Sequence, residues 1–264
     1  MADPKPAATV VVLRDGADGL EVLMLRRSHR AGFFPHAWVF PGGRVDDADA
    51  DTPFIGSVEG LDASDAMFAV AAVRECFEEA GVWLGTGVPE PGLRDALNAR
   101  SGTLLQTSGL SADLDRLEHW AWWVTPPEEP KRYDARFFVT ALGPDELSAA
   151  VPDHRETVAS AWISPRGALD SHASGDFFLA PPTFRTLEEL CAFDRASTAV
   201  DAGRVRPVVR ILPRLEVNDD GVCIVLPGDP AHPSEFPAPG RSRIQMRDGR
   251  WHSEGALIGA GCAL

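Results

Sequence analysis

Apolar positions along the chain change period several times, and each change marks a predicted element. Residues 9–13 and 20–25 are short runs rich in Val and Leu. The turn-forming stretch Arg14-Asp15-Gly16-Ala17-Asp18-Gly19 lies between them, so two strands and a loop are predicted. Between 66 and 80 the period becomes helical. Ala66, Ala69, Val70, Val73, Cys76, Phe77 and Ala80 make one stripe, and such a stripe is buried on a core. Ser64 reads as the cap of this helix, Asp65 as a first-turn acid and Gly81 as the residue after the last turn. Residues 85–92 form a Gly/Pro linker. Leu93/Leu97 and Leu114/Leu117 then mark two short helical segments, the second started by Ser111. A helix over 183–197 places Leu187, Leu190 and Cys191 on one face. Residues 208–212 and 222–226 predict strands, and Asp248-Gly249 predicts a hairpin turn between 243–246 and 250–252.

The polar side of the 66–80 helix is unusual. Glu75, Glu78 and Glu79 are spaced i, i+3, i+4, which stacks three carboxylates on one face. Glu78 and Glu79 also fall at the negative end of the helix dipole, where anions are unfavourable. Something positive is needed nearby. Arg74 can pair with Glu78 one turn on, but one Arg does not neutralise three carboxylates. A divalent cation with a preference for hard oxygen ligands does. The alternative is a solvated acidic face.

Composition narrows the partners. The 264 residues carry a formal charge of −14, which argues against a nucleic-acid backbone, since that binding is driven by basic patches. Small anionic substrates remain compatible if a metal and a few Arg residues supply local positive charge. Arg26, Arg27 and Arg30 form such a cluster at the end of the second strand, with a solvated turn as the alternative for Arg26 and Arg30. The four cysteines at 76, 191, 223 and 262 are far apart and show no C-x-x-C pairing, so no zinc site or disulfide framework is indicated. No apolar run reaches bilayer length and no targeting signal is recognised. A soluble protein in the cytoplasm, without a membrane partner, is expected. G-x-S-x-G, Walker A, G-x-G-x-x-G and H-E-x-x-H motifs are absent.

Residues 74–82, Arg-Glu-Cys-Phe-Glu-Glu-Ala-Gly-Val, resemble the second half of the Nudix box, and Phe40-Pro41-Gly42-Gly43 resembles its first half. Counting the family spacing from Gly43 puts Asp49 at the position of the box's first Glu and Ser57 at that of its Arg. Arg74 comes seventeen residues later. An insertion over 46–63 is therefore expected, and its acidic, Gly- and Pro-containing composition suits a solvent-facing loop. The role of the family's first Glu is left unassigned. Arg27-Ser28 with 40–43, Trp123-Val124-Thr125-Pro126, and Arg132-Tyr133-Asp134 with Phe137-Phe138 resemble segments of the coenzyme A diphosphatase branch. Gly32 and His36 stand where that branch's signature has Arg and Gly. Ala161-Trp162-Ile163-Ser164-Pro165 resembles the family's strand and turn after a second acidic site, and Glu156 lies six residues before the Trp. Leu226-Pro227-Gly228-Asp229 again resembles the branch, with no chemistry assigned to it.

The resemblance implies an α/β (α+β) fold, the Nudix α/β/α sandwich with a mixed, curled sheet, over 1–200, and a β-rich C-terminal extension over 201–264. It also implies hydrolysis of a diphosphate linked to a nucleoside, with coenzyme A or acyl-CoA as leading substrate. ADP-ribose, another dinucleotide, or a non-catalytic ligand-binding module are the alternatives. Glu75, Glu78 and Glu79 would hold Mg²⁺ or Mn²⁺, and Arg74 would orient a carboxylate. Glu156 is the candidate further ligand or general base, with Asp153 and His154 as rivals. Arg27, Gly42, Gly43 and Arg44 are the candidate substrate-binding residues. The Trp block at 120–123 reads as a core or dimer contact, so a homodimer is allowed.

Overall fold

In this computed structural model, residues 2–29, 34–100, 102–143, 146, 150–218, 221–233 and 242–255 are described. The first half of the chain contains β1 (Lys5–Gly16), β2 (Gly19–Arg27), β3 (Trp38–Val39), β4 (Gly42–Arg44), β5 (Phe54–Ile55), α1 (Ala66–Ala80), β6 (Gly85–Thr86), α2 (Leu93–Arg100), β7 (Ser111–Asp113) and β8 (Glu118–Val124). The second half contains β9 (Tyr133–Ala141), β10 (Thr157–Ile163), α3 (Pro165–Ser174), α4 (Pro181–Leu190), α5 (Ala196–Val205), β11 (Arg210–Ile211), β12 (Arg214–Asn218), β13 (Gly221–Val225), β14 (Ser242–Arg247) and β15 (Arg250–Gly255).

Strand alternation builds the layers. On β1, Ala8, Val10 and Val12 point to one side of the sheet and Val11 and Leu13 to the other; on β2, Leu23 and Leu25 oppose Val22 and Met24 in the same way. The first set packs under α1 with Phe68, Ala69, Ala72, Val73 and Cys76. The second meets Ala168 of α3, Leu187 and Leu190 of α4, and Ala199 of α5. The main sheet runs β10-β2-β1-β9-β8-β11, with β3 on β2 and β4 on β1. The β1–β2 pair is antiparallel and the β1–β9 pair parallel, so the sheet is mixed. Helices on both faces complete the α/β/α sandwich. A separate antiparallel sheet, β12-β13-β14-β15, follows, and its Ile224, Ile244 and Trp251 join the core shared with α4. β11, also beyond residue 200, belongs to the main sheet.

Several expected elements are confirmed. Gly81 ends α1 in the left-handed conformation at φ 75°, and Asp248 and Gly249 both take positive φ, as the two-residue hairpin turn requires. Others need correction. Ser64 does not cap α1: residues 63–65 form a 3-10 turn, and Asp65 is the N-cap without a side-chain capping bond. The helix expected from Ser111 is instead β7 followed by a 3-10 turn at 114–116, because Ala112 N–H is drawn to Pro53 O and Asp113 N–H to Leu84 O. The helix expected over 183–197 is interrupted between α4 and α5.

The expectation of a solvent-facing loop over 46–63 is corrected in part. Asp47–Asp51 form a 3-10 turn against α1, Asp49 and Thr52 are buried, and Val58 joins the α1 core. Asp46 N–H donates to Asp49 Oδ2 at 2.8 Å. Most of the segment, including Phe54 and Ile55 of β5, is exposed, as expected. Composition misled at Asp49 because this acidic residue is neutralised by a cation from elsewhere in the chain.

Candidate active site

That cation is Arg74, which is 2% exposed. Burying a guanidinium is costly unless each N–H finds an acceptor, and here all five do. Nε donates to Asp49 Oδ1 at 2.8 Å, and Nη2 donates to Asp49 Oδ2 at 3.0 Å and to Arg44 O at 2.8 Å. Nη1 donates to Glu75 Oε1 at 2.9 Å and to Glu78 Oε2 at 3.2 Å. Burial opposes the charge, but the Asp49 hydrogen bonds and the fields of Glu75, Asp49 and Glu78 outweigh it and hold Arg74 protonated. One guanidinium therefore ties the start of the insertion to two of the three carboxylates on α1. Arg44, expected to meet substrate, contributes its carbonyl to this cluster while its side chain is exposed.

The Gly42-Gly43 strand lies directly against the acidic face. Gly42 N–H donates to Glu79 Oε2 at 2.9 Å. A Cβ at Gly43 would sit 2.5 Å from the Glu75 carboxyl carbon, so glycine there lets the strand approach this carboxylate closely, and a larger residue would displace it. β4 is held in place by pairing with Ala7, Ala8 and Thr9 of β1.

Electrostatically the site is strained towards protonation. Burial, opposed by Arg74 and reinforced by Glu78 and Glu156, raises Glu75 to about 7. Burial and the neighbouring Glu75 raise Glu79 well above the usual range, against the Gly42 N–H and the Arg27 charge. Glu78 is raised by burial despite Arg74, and its Oε1 is buried with no hydrogen-bond partner among the described residues. Crowded carboxylates with an unpaired oxygen form a hard-donor set suited to a divalent cation. Among the described residues, no three His, Cys, Asp or Glu side chains converge in a ligating arrangement. Glu75 and Glu78 are turned to Arg74 and Glu79 to Gly42, so holding a cation requires these carboxylates to rotate.

Glu156 stands at the start of β10, where its carbonyl accepts from Ser28 N–H at 2.8 Å. Glu156 is exposed, and its charge is among the influences that raise both Glu75 and Glu79. Of its rivals, Asp153 is committed to its own turn, accepting from Arg155, Glu156 and Thr157 N–H and from Thr157 Oγ1. His154 is exposed at φ 60°. Arg27 ends β2 opposite Thr157, with Nε buried and unpartnered among the described residues. Asp49 is the residue whose part in the site was missed, although the spacing from Gly43 pointed to it.

Two family models match this chain: the NUDIX domain over residues 3–94 and the NUDT19 Nudix domain over 58–190. The chain belongs to the Nudix family. The human protein named acyl-coenzyme A diphosphatase NUDT19 is 30% identical over 273 residues, covering 81% of this chain and 72% of that protein. Its Gallus gallus counterpart is 29% identical, covering 86% and 76%. The crystal structure of a NUDIX hydrolase from Alicyclobacillus acidocaldarius is 34% identical and superposes with a TM-score of 0.69, over 76% of this chain and 97% of that one. This Nudix hydrolase thus has its box split by a segment that folds back on the site.

Proposed function

We propose that this Nudix hydrolase cleaves the diphosphate linkage of coenzyme A or an acyl-CoA, giving an adenosine bisphosphate and a phosphopantetheine. The substrate class is supported by the relatives named acyl-coenzyme A diphosphatases. The observation that carries the chemistry is the buried, unpartnered Glu78 Oε1 among carboxylates already pushed towards protonation. Glu75, Glu78 and Glu79 would hold Mg²⁺ or Mn²⁺; when bound, such an ion neutralises charge on the diphosphate oxygens and acidifies water.

The remaining roles belong to the chain. Arg74, fixed by Asp49, holds Glu75 and Glu78 in register. Gly42 N–H fixes Glu79. Arg27, at the end of β2, offers its guanidinium to the phosphates. As a water oxygen bonds to phosphorus and the bridging P–O bond breaks, the Glu156 carboxylate accepts the water's proton.

A panel of coenzyme A, acyl-CoA, ADP-ribose and a dinucleoside polyphosphate, assayed with Mg²⁺, Mn²⁺ or EDTA, tests this reading. Metal-dependent turnover fastest on coenzyme A or acyl-CoA is expected. Preference for ADP-ribose or a dinucleotide would replace the substrate, full activity in EDTA would remove the metal, and no turnover on any diphosphate would leave a ligand-binding module. A module of that kind has no use for three mutually repelling carboxylates at a helix C-terminus.

A further inference from the structure

The end of α1 poses a problem that Arg74 does not solve. The last carbonyls of a helix lack intrahelical partners and carry the negative end of its dipole, and here they lie beside Glu78 and Glu79. Arg94, in the first turn of α2, meets them. Its Nε donates to Glu78 O at 2.9 Å, and its Nη2 donates to Glu79 O at 2.8 Å and Val151 O at 2.7 Å. One turn later Asn98 Nδ2 donates to Glu78 O at 3.2 Å. Val151 N–H donates to Ala80 O at 3.0 Å, and Arg155 Nη1 donates to Asn98 O at 2.9 Å. A single guanidinium thereby fastens the backbone of two α1 carboxylates to the 151–157 segment that carries Glu156.

We propose that Arg94 is a positioning residue for hydrolysis, setting the spacing between the carboxylates of α1 and Glu156. This rests on the diphosphatase reading above. Arg94 makes these contacts to main-chain carbonyls only, so its effect passes through where it holds α1 and the 151–157 segment. Anchorage of α1 does not depend on it, because Phe68, Ala69, Val70, Val73, Cys76 and Ala80 are all buried. Truncating Arg94 therefore frees the helix end without unseating the helix. A displacement of about 1 Å at a reacting centre costs on the order of 10²-fold in rate, and cation ligation by Glu78 and Glu79 is sensitive to the same displacement. Lysine restores the charge but is a point donor that lacks the planar fork.

The test measures kcat, KM and Mn²⁺ affinity by electron paramagnetic resonance in wild type, Arg94→Ala and Arg94→Lys, with amide exchange at residues 78–81. Arg94→Ala should lower kcat by roughly 10- to 100-fold and weaken Mn²⁺ binding, while KM stays near wild type and exchange at 78–81 accelerates. Arg94→Lys should be intermediate, and sub-denaturing guanidinium should restore part of kcat to the Ala variant. Wild-type kcat and Mn²⁺ affinity in Arg94→Ala would overturn the proposal. So would an activity loss that matches the unfolded fraction, leaves Mn²⁺ affinity intact and resists guanidinium. If Arg94→Ala does not fold, Arg94→Lys decides by its own kcat and Mn²⁺ affinity. A wild type that binds Mn²⁺ but hydrolyses no diphosphate sinks the substrate reading alone, since the Mn²⁺ and exchange comparison still judges the positioning role. A wild type that binds no Mn²⁺ ends both.

Discussion

Replacing Asp49 by Ala removes two of the five hydrogen bonds on a guanidinium that is 2% exposed. Taking one partner from a buried ion pair typically costs about 3–5 kcal/mol. Glu75 and Glu78 still face Nη1 and Arg44 O still accepts from Nη2, so the charge is not abandoned and the lower end, about 3 kcal/mol, is expected. The 3-10 turn at Asp47–Asp51 also loses the carboxylate that accepts from Asp46 N–H. Freed from Asp49, Arg74 can swing further onto Glu75 and Glu78, and Mn²⁺ affinity should fall with stability. Urea unfolding in EDTA isolates the first effect, because a ligand that binds the folded state would otherwise contribute. Asp49→Asn, able to accept from only one of the two guanidinium nitrogens, should fall between wild type and Ala. A residue in a solvent-facing loop would change stability by no more than about 0.5 kcal/mol. Such a result for Asp49→Ala would refute the buried pair.

Three further outcomes are expected. Glu78→Gln should lower kcat on the order of 10³-fold while leaving apo stability unchanged or slightly raised, since it removes one of three crowded anions; paired kinetics and unfolding on one preparation check this, and wild-type kcat would exclude the carboxylate face as the site. Gly43→Ala should displace the Glu75 carboxylate, which lies 2.5 Å from the added carbon, and so reduce Mn²⁺ affinity and kcat together; a wild-type titration would show that β4 yields instead. His119 is held neutral, lowered to about 4 by burial and by Arg136. Because its folded value lies below its unfolded 6.5, the stability present above pH 6.5 is lost as pH falls towards 4, by at most about 3 kcal/mol. The difference in urea midpoint between wild type and His119→Asn should therefore change across that window, and parallel pH profiles would rule the effect out.

Local physics made much of the site readable. The helical stripe and the three Glu at i, i+3, i+4 are properties of one continuous segment, and Gly81 at its end is needed because only a residue without a side chain takes φ 75° without strain. The Asp248-Gly249 turn was readable because Asp tolerates the left-handed region and Gly adopts it freely. The demand for positive charge at the end of α1 also followed from sequence, through the helix dipole, but not the identity of the group that meets it.

Tertiary structure decided the rest. Asp49 is twenty-five residues from Arg74, inside a stretch whose average composition says loop; its burial depends on a partner that no local window contains. Arg94 meets the Glu79 carbonyl from 15 residues away along the chain, and Val151, which meets the Ala80 carbonyl, lies 57 residues beyond Arg94; helical periodicity carries no information about which group arrives there. Asp153 and Glu156 are both acidic residues before one strand, and only the folded turn shows that Asp153 is consumed by its own backbone while the charge of Glu156 is felt at Glu75 and Glu79. Sequence by itself determined the elements and the donor set, because those are set by neighbours along the chain. The pairing of charges waited for the fold, because a buried charge is stabilised by whichever opposite charge packing brings within hydrogen-bond reach.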